Sequence, residues 1–73
     1  MESNIIDVKA VAVNLRVARA KANITQSDLA EKTGIAPSTL SFIENGKQGS
    51  IRVSTLSKLA DALNVSVESL LEA

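Results

Sequence analysis

The sequence predicts an all-α domain of five short helices, and three observations point that way. Apolar residues recur at three- and four-residue steps in separate segments of the chain. Residues that cap or stop helices stand between those segments. The apolar content, 45% of the chain, is almost wholly aliphatic, with Phe42 as its single aromatic. Packing must therefore come from Leu, Ile, Val and Ala, and Ala and Leu at this density favour helices.

The first helix is expected over Val8 to Ala22, where Val8, Val11, Ala12, Leu15, Ala18 and Ala22 form one stripe. Asn23 suits the left-handed turn that ends it, and Ile24 plugs the core just beyond. Thr25 is a good N-cap for a second, short helix with Asp28 in its first turn and Leu29 and Ala30 buried. Gly34 ends that helix. Pro37, pre-set for a first turn, opens a third that runs to about Asn45, with Leu40 and Ile43 on its inner face. Asn45 and Gly46 are expected to stop it through a left-handed backbone, and Gln48 to Arg52 reads as a loop. Ser54 begins a fourth helix with Leu56, Leu59, Ala60 and Leu63 as its stripe, stopped by Asn64. Ser66 caps a fifth, with Glu68 complementing its dipole and Val67, Leu70 and Leu71 as its apolar positions.

Seventy-three residues suffice for one domain, residues 1–73, with a modest core, since a chain this short buries roughly 60% of its unfolded surface. Cysteine is absent, which removes disulfides and thiolate metal sites and suits the reducing cytoplasm. No apolar run approaches the roughly 20 residues that span a bilayer, and Met1-Glu2-Ser3-Asn4 lacks the basic start of a secretory signal. With neither His nor Cys, and no carboxylate pair near a plausible pocket, catalysis and metal binding have little to work with; no cofactor is expected. Eight basic and eight acidic side chains cancel, so net charge lends nothing to a nucleic-acid partner. The distribution is polarised instead. Lys9, Arg16, Arg19 and Lys21 form a stretch without an acid, while Asp61, Glu68 and Glu72 load the C-terminal end.

The segment from Gln26 to Asn45 has the spacing of a helix-turn-helix. Ala30 stands where the second helix crosses the third, so a small side chain allows close approach, and Gly34 makes the turn between them. Leu29, Ile35, Leu40 and Ile43 lock the pair from beneath. Pro37, Ser38, Ser41 and Phe42 are then left on the outer face of the third helix, available to a major groove.

From about Asn14 to Leu71 the chain resembles the phage repressor and Cro family of helix-turn-helix proteins, also called the xenobiotic-response-element family. The resemblance rests on Leu15-Arg-Val-Ala-Arg19, Ile24-Thr-Gln-Ser-Asp-Leu-Ala30, Gly34, Ser38 through Lys47, and Leu56 through Val65. It implies a five-helix, lambda-repressor-like fold and a regulator of transcription that binds double-stranded DNA. By position it puts Gln26 beside a phosphate at the start of the second helix and Pro37, Ser38 and Phe42 at base-reading positions. Proline and phenylalanine depart from the polar residues often found there, so hydrogen-bond readout is sparse. Phe42 is left to pack against a thymine methyl group, and Ser38 and Ser41 to a base edge or phosphate. Asn45, Lys47 and Arg16 suit backbone contacts, and Arg52 corresponds to a position that reaches a narrow minor groove in some relatives. Arg19 and Glu44 resemble the family's structural ion pair.

Ordinary roles compete with these assignments. Phe42 could belong to the core, Lys47 and Arg52 could be solvated charges, Ser38 and Ser41 indifferent hydroxyls, and Thr39 a partly buried packing residue. Val67, Leu70 and Leu71 either cover the core or form a homodimer contact; a two-fold dimer would set two recognition helices about 34 Å apart on a near-palindromic operator. The functional reading is a sequence-specific repressor acting as such a dimer. The alternatives are an antitoxin and a protein-interaction module, both with a protein partner on the same fold.

Overall fold

The computed structural model describes residues 6–72, and Met1 to Asn4, read above for signal character, lie outside them. Five helices follow in order: α1 (Val8–Ala22), α2 (Gln26–Thr33), α3 (Pro37–Glu44), α4 (Val53–Leu63) and α5 (Val67–Leu71). There is no strand among the described residues.

Local chemistry sets most of these boundaries. The Asp7 carboxylate accepts from the backbone N–H groups of Lys9 and Ala10 and opens α1. Thr25 and Asp28 form a reciprocal capping box at the start of α2. Ser66 caps α5 through the Ser69 N–H. Asn23 and Asn64, both at φ 58°, close α1 and α4 in the left-handed region, which Asn tolerates better than most residues with a Cβ.

Two of the expected boundaries need correction. Asn45 follows α3 with φ −98°, an ordinary right-handed value, and the left-handed step falls on Gly46 alone, at φ 69°. There a Cβ would meet Ala12 Cβ and Lys9 Cα at 3.7 Å, so the backbone conformation, rather than space, selects glycine. The fourth helix begins at Val53 instead of Ser54. Arg52 is its N-cap and makes no side-chain capping bond, so the serine hydroxyl does not set that boundary.

The core joins all five helices: Val11 and Leu15 from α1, Leu29 and Ala30 from α2, Leu40 and Ile43 from α3, Leu56, Leu59, Ala60 and Leu63 from α4, and Leu70 from α5. Ile24, Ile35, Val65 and Val67 pack around it half-buried. Ile51, in the segment expected as a plain loop, is buried and anchors that loop to the core. Ala22, counted in the first helix's inner stripe, is exposed at the last turn. α1 packs against α3 on one flank and α5 on the other, while α2 packs against α3 and α4. This leaves one side of α3 uncovered.

Candidate nucleic-acid interface

The turn between α2 and α3 determines what α3 displays. Gly34 adopts φ 76° and its N–H closes α2 on the Ala30 carbonyl, so the chain reverses within three residues. Thr33 reinforces the turn, its hydroxyl donating to the Leu29 carbonyl at 2.8 Å and accepting from the Ile35 N–H. Leu40 and Ile43 then point inward with Glu44. At about 100° per residue, this inward set leaves Ser38 and Phe42 facing away, while Pro37, on the Glu44 side, is exposed because it is the first residue of the helix. All three are exposed, as is Thr39, and Phe42, the single aromatic, exposes 56% of its surface. Core packing is therefore not the role of Phe42. Ser41 is half-buried and accepts a hydrogen bond from the Asn45 side-chain amide at 3.4 Å. Thr39, expected to be partly buried packing, is instead in solvent, because its neighbour Leu40 takes the inward position.

A buried charge holds this helix in place. Glu44 is 3% exposed and accepts a bidentate pair from Arg19, Nε to Oε2 at 2.9 Å and Nη2 to Oε1 at 3.1 Å. Arg19 also donates to the Ile24 carbonyl at 3.2 Å, which pins the chain entering α2. The Gln26 side-chain amide adds a third donor to Glu44, at 3.1 Å. One carboxylate thereby joins α1, the start of α2 and the end of α3. No buried side-chain polar atom lacks a partner among the described residues, as a buried charge requires. Because an amide nitrogen carries two hydrogens, Gln26 can serve Glu44 with one and keep the other for an outside acceptor.

Asn45, Lys47 and Arg52 are exposed beyond α3, and the Lys47 N–H returns to the Phe42 carbonyl at 3.0 Å. Arg16 is exposed on α1, its Nε bonded to the Ala12 carbonyl at 3.3 Å. Arg52 shares a polar groove with Thr39, Gln48, Ser50 and Thr55, floored by Ile43 and Ile51. Of these, Thr39 was read from the sequence only as packing, and Gln48, Ser50 and Thr55 were not singled out. The pointer to them was there: Ile51 is an isolated apolar residue in a polar loop, and its burial folds the loop back beside α3.

The site thus consists of an exposed, polar helix face, set at a fixed angle by a buried ion pair, with basic side chains at its margins. A helix-turn-helix family model matches residues 15–70, more than half of the chain. The chain belongs to the Cro/C1-type helix-turn-helix family. It is a DNA-binding, HTH-type transcriptional regulator. Among curated proteins it is 36% identical over 63 residues to the uncharacterised HTH-type transcriptional regulator YozG of Bacillus subtilis, covering 86% of this chain and 75% of YozG. It is 39% identical over 57 residues to the HTH-type transcriptional repressor RghR of the same organism, covering 78% of this chain but only 42% of RghR. Among solved structures, the restriction-modification controller protein C.AhdI of Aeromonas hydrophila superimposes with a TM-score of 0.81 at 26% identity, over 88% of this chain and 96% of that one. No helix among the described residues is long and apolar enough to cross a membrane.

Of Val67, Leu70 and Leu71, weighed from the sequence as a dimer contact, one is corrected by this regulator's packing. Leu70 is 1% exposed and lies in the core, so it cannot be part of a dimer face. Val67 is half-buried against the same core, and only Leu71, at 38%, still faces solvent. A five-residue helix needs both of its larger inward residues to hold it to the domain.

Proposed function

We propose that this regulator is a repressor that reads double-stranded DNA by laying α3 in the major groove, two copies together on a near-palindromic operator. The observation that carries the reading is the division of α3 into an inner face fixed by Leu40, Ile43 and Glu44 and an outer face of Ser38 and Phe42, with Pro37 exposed at the helix start. Ser38 and Phe42 supply discrimination, the ring of Phe42 against a thymine methyl group. Pro37, with no N–H, gives shape contact at the helix start. Ser41, Asn45, Lys47, Arg16 and the second hydrogen of Gln26 serve phosphates, and Arg52 reaches the minor groove.

The two-copy arrangement follows from how little one face can read. One or two base contacts, each worth about 1–3 kcal/mol of discrimination, give poor selectivity alone. Two linked half-sites double the readout and gain effective concentration. The repressor role is that of the relative RghR, carried here as part of the proposal.

Selection of bound sequences from a random duplex pool tests the whole reading. A two-fold symmetric consensus, bound with affinity that falls steeply as salt rises, is the expected result. An asymmetric consensus rejects the paired copies. Binding to no duplex, or binding indifferent to salt, rejects the reading itself.

A further inference from the structure

α1 carries a second apolar stripe that the core does not use. Ala10, Val13, Val17 and Ala20 recur at steps of three, four and three, and about 100° per residue places Val13 and Val17 roughly 160° from Leu15 on either side. They face away from the core: Val13 is 50% and Val17 47% exposed, and Ala20 is exposed. The stripe is about 15 Å long, the length of a partner helix of some ten to fourteen residues. Beside Val17 it opens into a groove between α1 and α5 lined by Ala18, Lys21, Val65 and Leu70.

Charge selects the occupant. Lys9 and Arg16 flank the stripe on one side, and Asn14 and Lys21 on the other. Among the described residues none of the three cations has an ion-pair partner. The acids near them are Asp7, committed to the helix cap, and Glu72, across the groove. A second copy of this chain is a poor fit. In a parallel pairing Arg16 would meet Lys21, and in an antiparallel one the Lys9 and Arg16 row would meet itself, like charge on like charge in both. A lipid surface is also a poor fit, because the stripe offers only Ala and Val where interfacial helices bring Trp, Phe or Leu.

We propose that the outer face of α1 is a docking site for a short acidic amphipathic helix presented by another protein. The 3-4-3 spacing supplies the seam, and Lys9 and Lys21, one on each side, supply the register through acidic flanks on the partner, leaving Arg16 to the DNA. The site is separate from the DNA-reading face. Ala12 and Arg19 mark the side of α1 turned to α3, and Val13 and Val17 point away from it, so partner and DNA occupy the regulator together.

The test uses the intact chain with valine methyl groups and backbone amides labelled for NMR. The probe is a fourteen-residue helical peptide with Leu at the seam spacing and Glu on both flanks, compared with the same peptide carrying Lys at every Glu position. Expected are saturable shifts at Val13 and Val17 with the acidic peptide, none at Phe42, and affinity for the acidic peptide at least about tenfold above that for the basic peptide. A double variant, Lys9→Glu with Lys21→Glu, exposed positions that leave the fold intact by its melting curve, should reverse that preference. Equal binding of both peptides, no binding by either up to millimolar concentration, or shifts centred on α3 would overturn the proposal. So would concentration-dependent shifts at Val13 and Val17 without peptide, which would assign the face to a second copy, or stronger binding to phosphatidylglycerol vesicles than to the acidic peptide.

Discussion

Removing either end of the Arg19 and Glu44 pair should destabilise the domain, and by unequal amounts. Glu44 has a side chain 4% exposed, whereas that of Arg19 is 24% exposed. Arg19→Ala therefore strands a buried carboxylate with Gln26 as its sole remaining side-chain donor. Breaking a buried pair in this way costs about 3–5 kcal/mol. Glu44→Ala leaves instead a guanidinium that keeps its bond to the Ile24 carbonyl and can turn toward water. What is lost there is three hydrogen bonds, all charge-assisted through the carboxylate and all partly offset by rehydration of the donors, or about 2–3 kcal/mol net. For a domain of this length total stability is of order 4–11 kcal/mol. Each kcal/mol then shifts Tm by about 4–8 °C. Glu44→Ala should melt about 10–20 °C lower than the parent, and Arg19→Ala lower still, close to unfolded at room temperature if the parent is at the weak end of that range. Thermal unfolding followed by circular dichroism, with urea titration for the free energies, decides it. Equal losses, a larger loss for Glu44→Ala, or no loss in either would refute the account of a buried carboxylate that depends on its cation.

Leu70→Ala should cost about 2–5 kcal/mol as a core truncation while Leu71→Ala stays within about 1 kcal/mol, both read by urea denaturation. Comparable losses would contradict the placement of Leu70 in the core and Leu71 outside it. Phe42→Ala should leave the urea midpoint nearly unchanged yet relax the preferred sequence at one position of each half-site, seen by repeating the duplex selection. Lys47→Ala should weaken binding to all sequences alike and reduce the salt slope by about one, measured by titrating DNA at several salt concentrations. Asn14 donates its side-chain amide to the carbonyls of Leu70 and Glu72. Asn14→Ala should accordingly speed amide exchange in α5 with little change in α2 and α3.

Much of the fold was legible because it is written in local chemistry. Asn23, Thr25 with Asp28, Gly34, Asn64 and Ser66 each act within a few residues of where they stand, so α1 and α2 begin and end, and α5 begins, where the sequence puts them. The outward direction of Phe42 was also readable, since Leu40 and Ile43 claim the inner face. What escaped depends on residues distant in the chain. Ile51 is buried because the loop folds under α3, and Leu70 is buried because α1, more than fifty positions earlier, covers it. Neither relation has a local signature. A short helix with three aliphatics looks the same whether its partner is its own core or another molecule, and Leu70 was misassigned for that reason. The role of Asn14 was invisible likewise, its acceptors being main-chain carbonyls at the far end of the chain. The second stripe on α1 was present in the spacing but hidden behind the first, because a helix apolar on both faces shows no clean periodicity.

The bond from Asn14 to the Leu70 carbonyl spans 56 positions. Closing a loop of that length costs roughly 3–4 kcal/mol in chain entropy, against about 1 for the short loop between α2 and α3. Of these five helices, α1 is made first and is consequently the last to be secured on both flanks. Until α5 has emerged, α1 lacks one of its neighbours, and the Arg19 clamp that orients α3 hangs on a helix only half held. A nascent or prematurely ended chain can make the turn at Gly34 and still lack the angle that DNA reading needs.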